Sequence, residues 1–76
     1  MNWQALESKM LIAAAYDAEQ RILYLRFRSI GDVYRYFDFP TSEYQAFLDA
    51  ESHGRLFLAR IRDHYNYERL ARRTAA

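Results

Sequence analysis

The sequence predicts one small α+β domain, a three-stranded antiparallel meander followed by two α-helices packed on one face of the sheet. Three observations favour this fold class. Alternating apolar and polar residues, which are typical of half-buried strands, occur in the first half of the chain. After Pro40 the apolar spacing changes to the three- and four-residue intervals of a helix. The links between the predicted strands are short, which favours antiparallel neighbours.

The first two strands are predicted over residues 9–16 and 21–28, with a polar turn at 17–20 between them. Residues 1–8 precede them as a short helical turn or a loose arm. The run of alanines at 13–15 argues against the first strand, because alanine prefers helix. The second strand, RILYLRFR, alternates clearly. One of its faces carries Leu23, Leu25 and Phe27, and the other carries Tyr24, Arg26 and Arg28.

The third strand is predicted over 33–38, after a connection built around Gly31, and Pro40 ends it because proline cannot donate to a ladder. Thr41 or Ser42 is expected to cap the first helix. A break at 52–54 separates that helix from a second one over about 55–65, and residues 70–73 either extend the second helix or fray. The apolar positions on the two helices are Tyr44, Phe47 and Leu48, then Phe57, Ile61 and Tyr65.

Composition limits the function classes. The 76 residues make one domain, 1–76, with a core at about 8–67, a flexible N-terminal arm and a basic C-terminal tail. No cysteine is present, so disulfides, thiolate metal sites and cysteine nucleophiles are excluded. The N-terminus lacks the features of a signal peptide, and no apolar run spans a bilayer, so we expect a cytoplasmic protein without membrane contact.

The net charge of +1 hides an asymmetry along the chain. Residues 32–51 contain five acids and one arginine, whereas residues 55–76 contain six arginines and two acids. Ten of the eleven basic residues are arginine, which grips phosphate or carboxylate and stacks on rings. An ordinary solvated surface accounts for the same arginines, so their identity alone does not indicate a ligand.

Alternation on the third strand decides where the tyrosines of VYRY point. An arginine in the middle of a core face is costly unless it is paired. Tyr34 and Tyr36 are therefore predicted to face the helices and to be buried, with their hydroxyls at the core edge. Val33, Arg35 and Phe37 then share the opposite face with the polar half of the second strand.

That opposite face, if no helix covers it, combines arginines with aromatic rings. Arginine holds phosphates and rings stack on bases, so the pattern indicates single-stranded nucleic acid. The alternatives are a solvated arginine face or a face that pairs with another copy or a protein partner. The candidate nucleic-acid-binding residues, which include two on the second helix, are Tyr24, Arg26, Arg28, Arg35, Phe37, Arg55 and Arg62.

The order of several short motifs resembles the KTSC domain, a small domain with a central Tyr-x-Tyr motif. Here the motif is Tyr34-Arg35-Tyr36, with Tyr16-Asp17 upstream and Ser52-His53-Gly54-Arg55 and Ile61-Arg62 downstream. The resemblance covers about residues 8–67. The domain occurs at the C-terminus of some lysyl-tRNA synthetases and as a free-standing bacterial protein. The resemblance implies binding of RNA, in particular tRNA, and no catalytic residues. Two positions depart from the family pattern: Ala15 replaces a glycine and Leu58 replaces an asparagine.

No enzymatic chemistry, cofactor or small-molecule substrate is predicted. His53 and His64, the only histidines, are eleven residues apart, without the spacing of a helical metal pair. Ser52 and His53 are sequence neighbours, which seldom lets one activate the other. We expect solvated or capping roles for both histidines, and a plain turn at 52–54 rather than an anion site. The expected partners are RNA or, alternatively, a protein or a second copy of the chain.

Overall fold

The computed structural model describes residues 1–29 and 31–70 and places five antiparallel strands side by side in chain order. The strands are β1 (Gln4–Ala5), β2 (Leu11–Asp17), β3 (Ile22–Phe27), β4 (Val33–Tyr36) and β5 (Tyr67–Leu70). Two helices connect β4 to β5: α1 (Thr41–Leu48) and α2 (His53–Leu56), the second continuing as a π-helical turn over Phe57–Ile61. The predicted α+β class, with a meander followed by two helices, is confirmed.

The sheet has two more strands than predicted. β1 forms because Gln4 and Ala5 pair with Ala14 and Ala13 of β2, so part of the expected arm belongs to the sheet. β5 pairs with β4, and Tyr36 lies opposite Tyr67. The prediction that residues 70–73 extend a helix or fray is wrong at Leu70, the last residue of β5, and residues 71–73 lie outside the described residues. β5 forms because the edge of β4 that does not pair with β3 accepts hydrogen bonds from a distant segment. Sequence periodicity does not predict which segment pairs there.

Small side chains suit the centre of β2. Ala14 and Ala15 have no exposed surface, and they lie opposite Leu25 and Tyr24 of β3. A register shift between Leu11 and Ala13 changes the alternation at the start of β2. Pairing on both sides of β2 therefore overrides the helix preference of alanine.

Both helix starts differ from the predictions. Pro40 precedes α1 in extended conformation, and neither Thr41 nor Ser42 caps the helix through its side chain. Ser52 does cap α2, since its hydroxyl accepts the backbone N–H of Arg55 at 3.2 Å. Residues 52–54 thus begin the second helix, which ends at Ile61 rather than near Tyr65.

The core lies between the helices and one face of the sheet, called here the inner face. Its largest fully buried side chains are Phe39, Phe47, Leu11, Leu23, Leu25 and Ile61. Tyr16 reaches across this core: its hydroxyl donates to the carbonyl oxygen of Phe39, and its ring stacks on Tyr44 with centroids 4.7 Å apart. The helices cover the inner face only, which leaves the opposite, outer face of the sheet to the side chains described next.

Candidate binding surfaces

A line of rings and guanidinium groups crosses the outer face, and we call it the outer array: Trp3, Tyr24, Arg26, Arg35 and Phe37. The Arg26 guanidinium lies 5.5 Å from the centroid of the Trp3 ring, and Trp3 meets Tyr24 edge to face at 6.5 Å. Arg35 lies opposite Tyr24 across the β3–β4 pair and 5.5 Å from the Phe37 ring. Cations near ring faces at these distances are attracted by the ring quadrupole.

Arg35 is held in place by several partners. Its Nε donates to Glu68 Oε1 at 2.6 Å, and one of its terminal nitrogens forms an ion pair with the same carboxylate. Hydrogen bonds to Glu68 and then to Tyr24 raise the pKa of Arg35 above its ordinary value. Arg35 therefore stays charged and fixed, while Arg26 is the more exposed cation of the outer array.

Sequence reasoning missed Trp3, which directly precedes β1, and Glu68, which lies in β5, because both strands form only by tertiary pairing. Trp3 is 42% exposed and is the only tryptophan in the chain. Trp3 lies two residues before Ala5, so it shares the face of Ala5, but this can be deduced only when β1 is known to be a strand. Glu68 supplies an acid to a face that the sequence predicted to be basic and aromatic.

Three of the predicted nucleic-acid-binding residues lie elsewhere. Arg28 is in the turn after β3, where its Nε donates to the carbonyl oxygen of Ser8 at 3.0 Å, and so it does not extend the outer array. Arg55 is exposed on α2, and Arg62 follows the π-helical turn, both on the helix side of the sheet. The rest of the predicted basic tail, including Arg72 and Arg73, lies outside the described residues.

The two tyrosines of the central motif line a groove on the inner face, between the sheet and the π-helical turn. Five rings, called here the aromatic groove, form its walls: Phe27, Tyr34, Tyr36, Phe57 and Tyr67. The groove has a volume of about 340 Å³. Tyr36 is 3% exposed, as predicted, whereas Tyr34 is only half-buried, so the prediction that both rings are buried is wrong for Tyr34.

The ring contacts of the aromatic groove run in a closed cycle. Phe27 contacts Tyr34 at 5.3 Å and Phe57 at 5.2 Å, both nearly perpendicular. Tyr67 contacts Tyr34 and Tyr36 at 5.7 Å each, and Tyr36 meets Phe57 at 5.9 Å. β3, β4, β5 and the π-helical turn each supply at least one ring, so the groove exists only in the folded chain.

Polar groups complete the aromatic groove. Burial raises the pKa of Tyr36, and repulsion from the nearby Tyr34 and Tyr67 groups raises it further, so its phenol stays neutral at ordinary pH. Arg62 and Asp63 also line the groove, and their charged groups lie 3.6 Å apart with both side chains mostly exposed. An exposed pair at this distance contributes little stability, so either group can exchange its partner for a ligand.

The histidines make backbone contacts. His53 Nε2 lies 3.4 Å from the carbonyl oxygen of Leu48, and His64 Nε2 lies 3.1 Å from that of Ala59. Within residues 1–29 and 31–70, no three His, Asp or Glu side chains come together as a metal site. No helix in the same part of the chain is long and apolar enough to cross a membrane.

Comparison with known proteins places this geometry in a family. The sequence profile of the KTSC domain matches residues 7–65, most of the chain. The chain belongs to the KTSC domain family. The fold is similar to that of the crystal structure of a KTSC domain protein from Yersinia pestis, with a TM-score of 0.88, 28% identity, and coverage of 92% of this chain and 97% of that one.

Two bacterial sequences are also similar over much of their length. An uncharacterized protein from Stutzerimonas stutzeri strain A1501 is 43% identical over 71 residues, which cover 92% of this chain and 99% of that protein. A protein from Tsukamurella paurometabola is 42% identical over 52 residues, covering 68% of this chain and 76% of the relative. The resemblance drawn from the sequence motifs is therefore confirmed at the level of the family.

Proposed function

We propose that this KTSC domain is a non-catalytic module that binds single-stranded RNA through the outer array. One observation carries the proposal: two guanidinium groups and three aromatic rings form a continuous row of neighbours, in the order Arg26, Trp3, Tyr24, Arg35 and Phe37. Proteins that bind single strands without sequence preference combine arginines at phosphates with rings on which bases stack. The outer array presents both kinds of group on a face that the helices leave uncovered.

The roles within the outer array follow from how each side chain is held. Trp3 is the most accessible ring and is the best platform for a base. Arg26 is exposed and is the first candidate for a phosphate contact. Arg35 is tied to Glu68, so it fixes the position of Phe37 and Tyr24 and contributes less attraction for phosphate.

The charge distribution predicts weak, moderately salt-dependent binding. With one or two arginines at phosphates, the logarithm of affinity should fall against the logarithm of salt with a slope of roughly −0.7 to −1.4. A net charge of +1 adds little long-range attraction. Base stacking therefore provides most of the expected affinity and little sequence preference.

The fluorescence of Trp3 provides a direct test, because no other tryptophan contributes to it. The protein is titrated with single-stranded RNA and with tRNA at two salt concentrations, and stacking should quench Trp3. Arg26→Ala should weaken binding, whereas Arg55→Ala, the same charge change on the helix side, should not. Absent quenching, or equal losses in the two variants, would contradict binding at the outer array.

The alternative proposal is a protein-interaction module, and one observation favours it. β5 is the longer of the two edge strands, and no other strand pairs with its far side in residues 1–29 and 31–70. An unpaired edge can accept an added strand from a partner or from a second copy. Sedimentation velocity over a range of concentrations tests the second-copy version, which predicts a dimer that forms with increasing concentration.

A further inference from the structure

The aromatic groove lies on the other side of the sheet from the outer array and is not used by the proposed RNA contact. Its walls are five rings, and its opening carries one guanidinium and one carboxylate, those of Arg62 and Asp63. Pockets for small ligands begin at about this size and combine mostly apolar walls with a few placed polar groups. The composition of the groove therefore restricts what it can hold.

Two simple classes of ligand fit poorly. A compact cation would gain from the ring faces and Asp63, but it would be repelled by Arg62 and would give that guanidinium no new partner. A purely apolar side chain would fill the groove but would leave the hydroxyls of Tyr34 and Tyr67 and the charged opening without new partners. Covering polar groups without giving them hydrogen bonds is costly.

A nucleotide matches each part of the groove. Its base is a flat aromatic group with polar edges, suited to ring walls and tyrosine hydroxyls. Exocyclic amino groups of a base can donate to the Asp63 carboxylate, and a phosphate attracts the Arg62 guanidinium. The charged groups of Arg62 and Asp63, 3.6 Å apart in the free protein, must separate to reach the two ends of the nucleotide, and their largely exposed side chains permit this.

We propose that the aromatic groove binds the base of a nucleotide, with Arg62 at the phosphate and Asp63 at the polar edge of the base. Tyr67 is the accessible wall, since it is 57% exposed and touches both motif tyrosines. The same chemistry is offered by a free nucleotide and by an unpaired base of an RNA strand. The site is separate from the outer array and does not rest on the proposed function.

The test is a titration of the isotope-labelled protein with AMP, followed by NMR. AMP should shift the signals of Phe57 and Tyr67 and leave the indole signal of Trp3 unchanged. Ribose 5-phosphate, which lacks the base, should produce no comparable shifts. Shifts by AMP confined to Trp3 and its neighbours, no shifts at millimolar AMP, or equal shifts by ribose 5-phosphate would overturn the proposal.

Variants assign the contacts. Loss of one stacking partner corresponds to about a tenfold weaker affinity for AMP, which we expect for Tyr67→Ala. Arg62→Ala, an exposed change with little effect on folding, should weaken the binding of AMP more than the binding of adenosine, which has no phosphate. Arg55→Ala is the matched control and should bind AMP like the wild type. Equal affinity of all three variants for AMP would overturn the assignment of the groove.

A short oligoadenylate distinguishes the two sources of the base. If it shifts the same groove signals and binds more tightly than AMP does, an unpaired base of RNA is the better ligand. Affinity equal to or below that of AMP identifies the free nucleotide. Binding of the oligoadenylate that quenches Trp3 without shifting the groove signals would support the outer array and contradict the groove.

Discussion

Replacing the two motif tyrosines by alanine should have unequal effects on stability, although they are only two residues apart. Tyr36 is 3% exposed and contacts the rings of Phe57 and Tyr67. Removing a buried aromatic side chain costs about 3–5 kcal/mol through lost burial and the cavity left behind. Tyr34 is half-buried and lines the aromatic groove, where solvent can fill the space, so its loss should cost about 1–2 kcal/mol.

The difference is large compared with the total stability of such a small chain. At about 0.05–0.15 kcal/mol per residue, a domain of this length unfolds with roughly 4–11 kcal/mol. Tyr36→Ala should therefore populate the unfolded state measurably in water, whereas Tyr34→Ala should remain folded. Tyr36→Phe keeps the ring and serves as the control, with an expected loss below about 1.5 kcal/mol.

Urea unfolding followed by circular dichroism measures these free energies. With a slope of about 1 kcal/mol per molar urea, which is usual for a short chain, the midpoint of Tyr36→Ala should fall by about 3 M or more. The reasoning would be refuted if the two alanine variants lost equal stability, or if Tyr36→Ala lost less than Tyr34→Ala. Either result would mean that the ring cycle does not anchor β4 to the helices.

Three further predictions concern pH, helix capping and backbone conformation. The pKa of Tyr36 is raised above its usual value of 10, so the folded state favours the neutral phenol. The free energy of unfolding should therefore fall as the pH rises above 10. The urea midpoint of Tyr36→Phe should fall less than that of the wild type over the same pH range. Ser52→Ala removes the cap of α2 and should cost about 1 kcal/mol in urea unfolding, while Ser42→Ala should cost almost nothing. Gly31 has φ of 72°, so Gly31→Ala should destabilise the fold by about 1 kcal/mol, which thermal unfolding would show as a lower midpoint. Gly54→Ala should be neutral or stabilising, since an added Cβ meets Met10 Cβ at an ordinary 3.6 Å; a lower midpoint would contradict this.

The sequence predicted the parts of the fold that depend on local periodicity. Alternation in β3 and β4 assigned Leu23, Leu25 and Tyr36 to one face and Tyr24 and Arg35 to the other, as their pairing shows. The change of period after Pro40 separated sheet from helix. For the candidate sites, the same alternation identified four members of the outer array. It placed both motif tyrosines on the inner face as core residues, and of these Tyr36 is buried and Tyr34 is half-buried.

Tertiary structure alone decided the edges of the sheet and the completeness of both surfaces. β1 and β5 are short segments whose strand conformation depends on partners far along the chain, and a two- or four-residue segment carries too little periodicity to predict. β1 positions the preceding residue Trp3 in the outer array. β5 brings Glu68 against Arg35 of that array and Tyr67 to the aromatic groove. Sequence determines which face a side chain takes within its strand, because that choice is local. Which distant rings close a surface depends on pairing and packing, because those contacts form only when the whole chain folds.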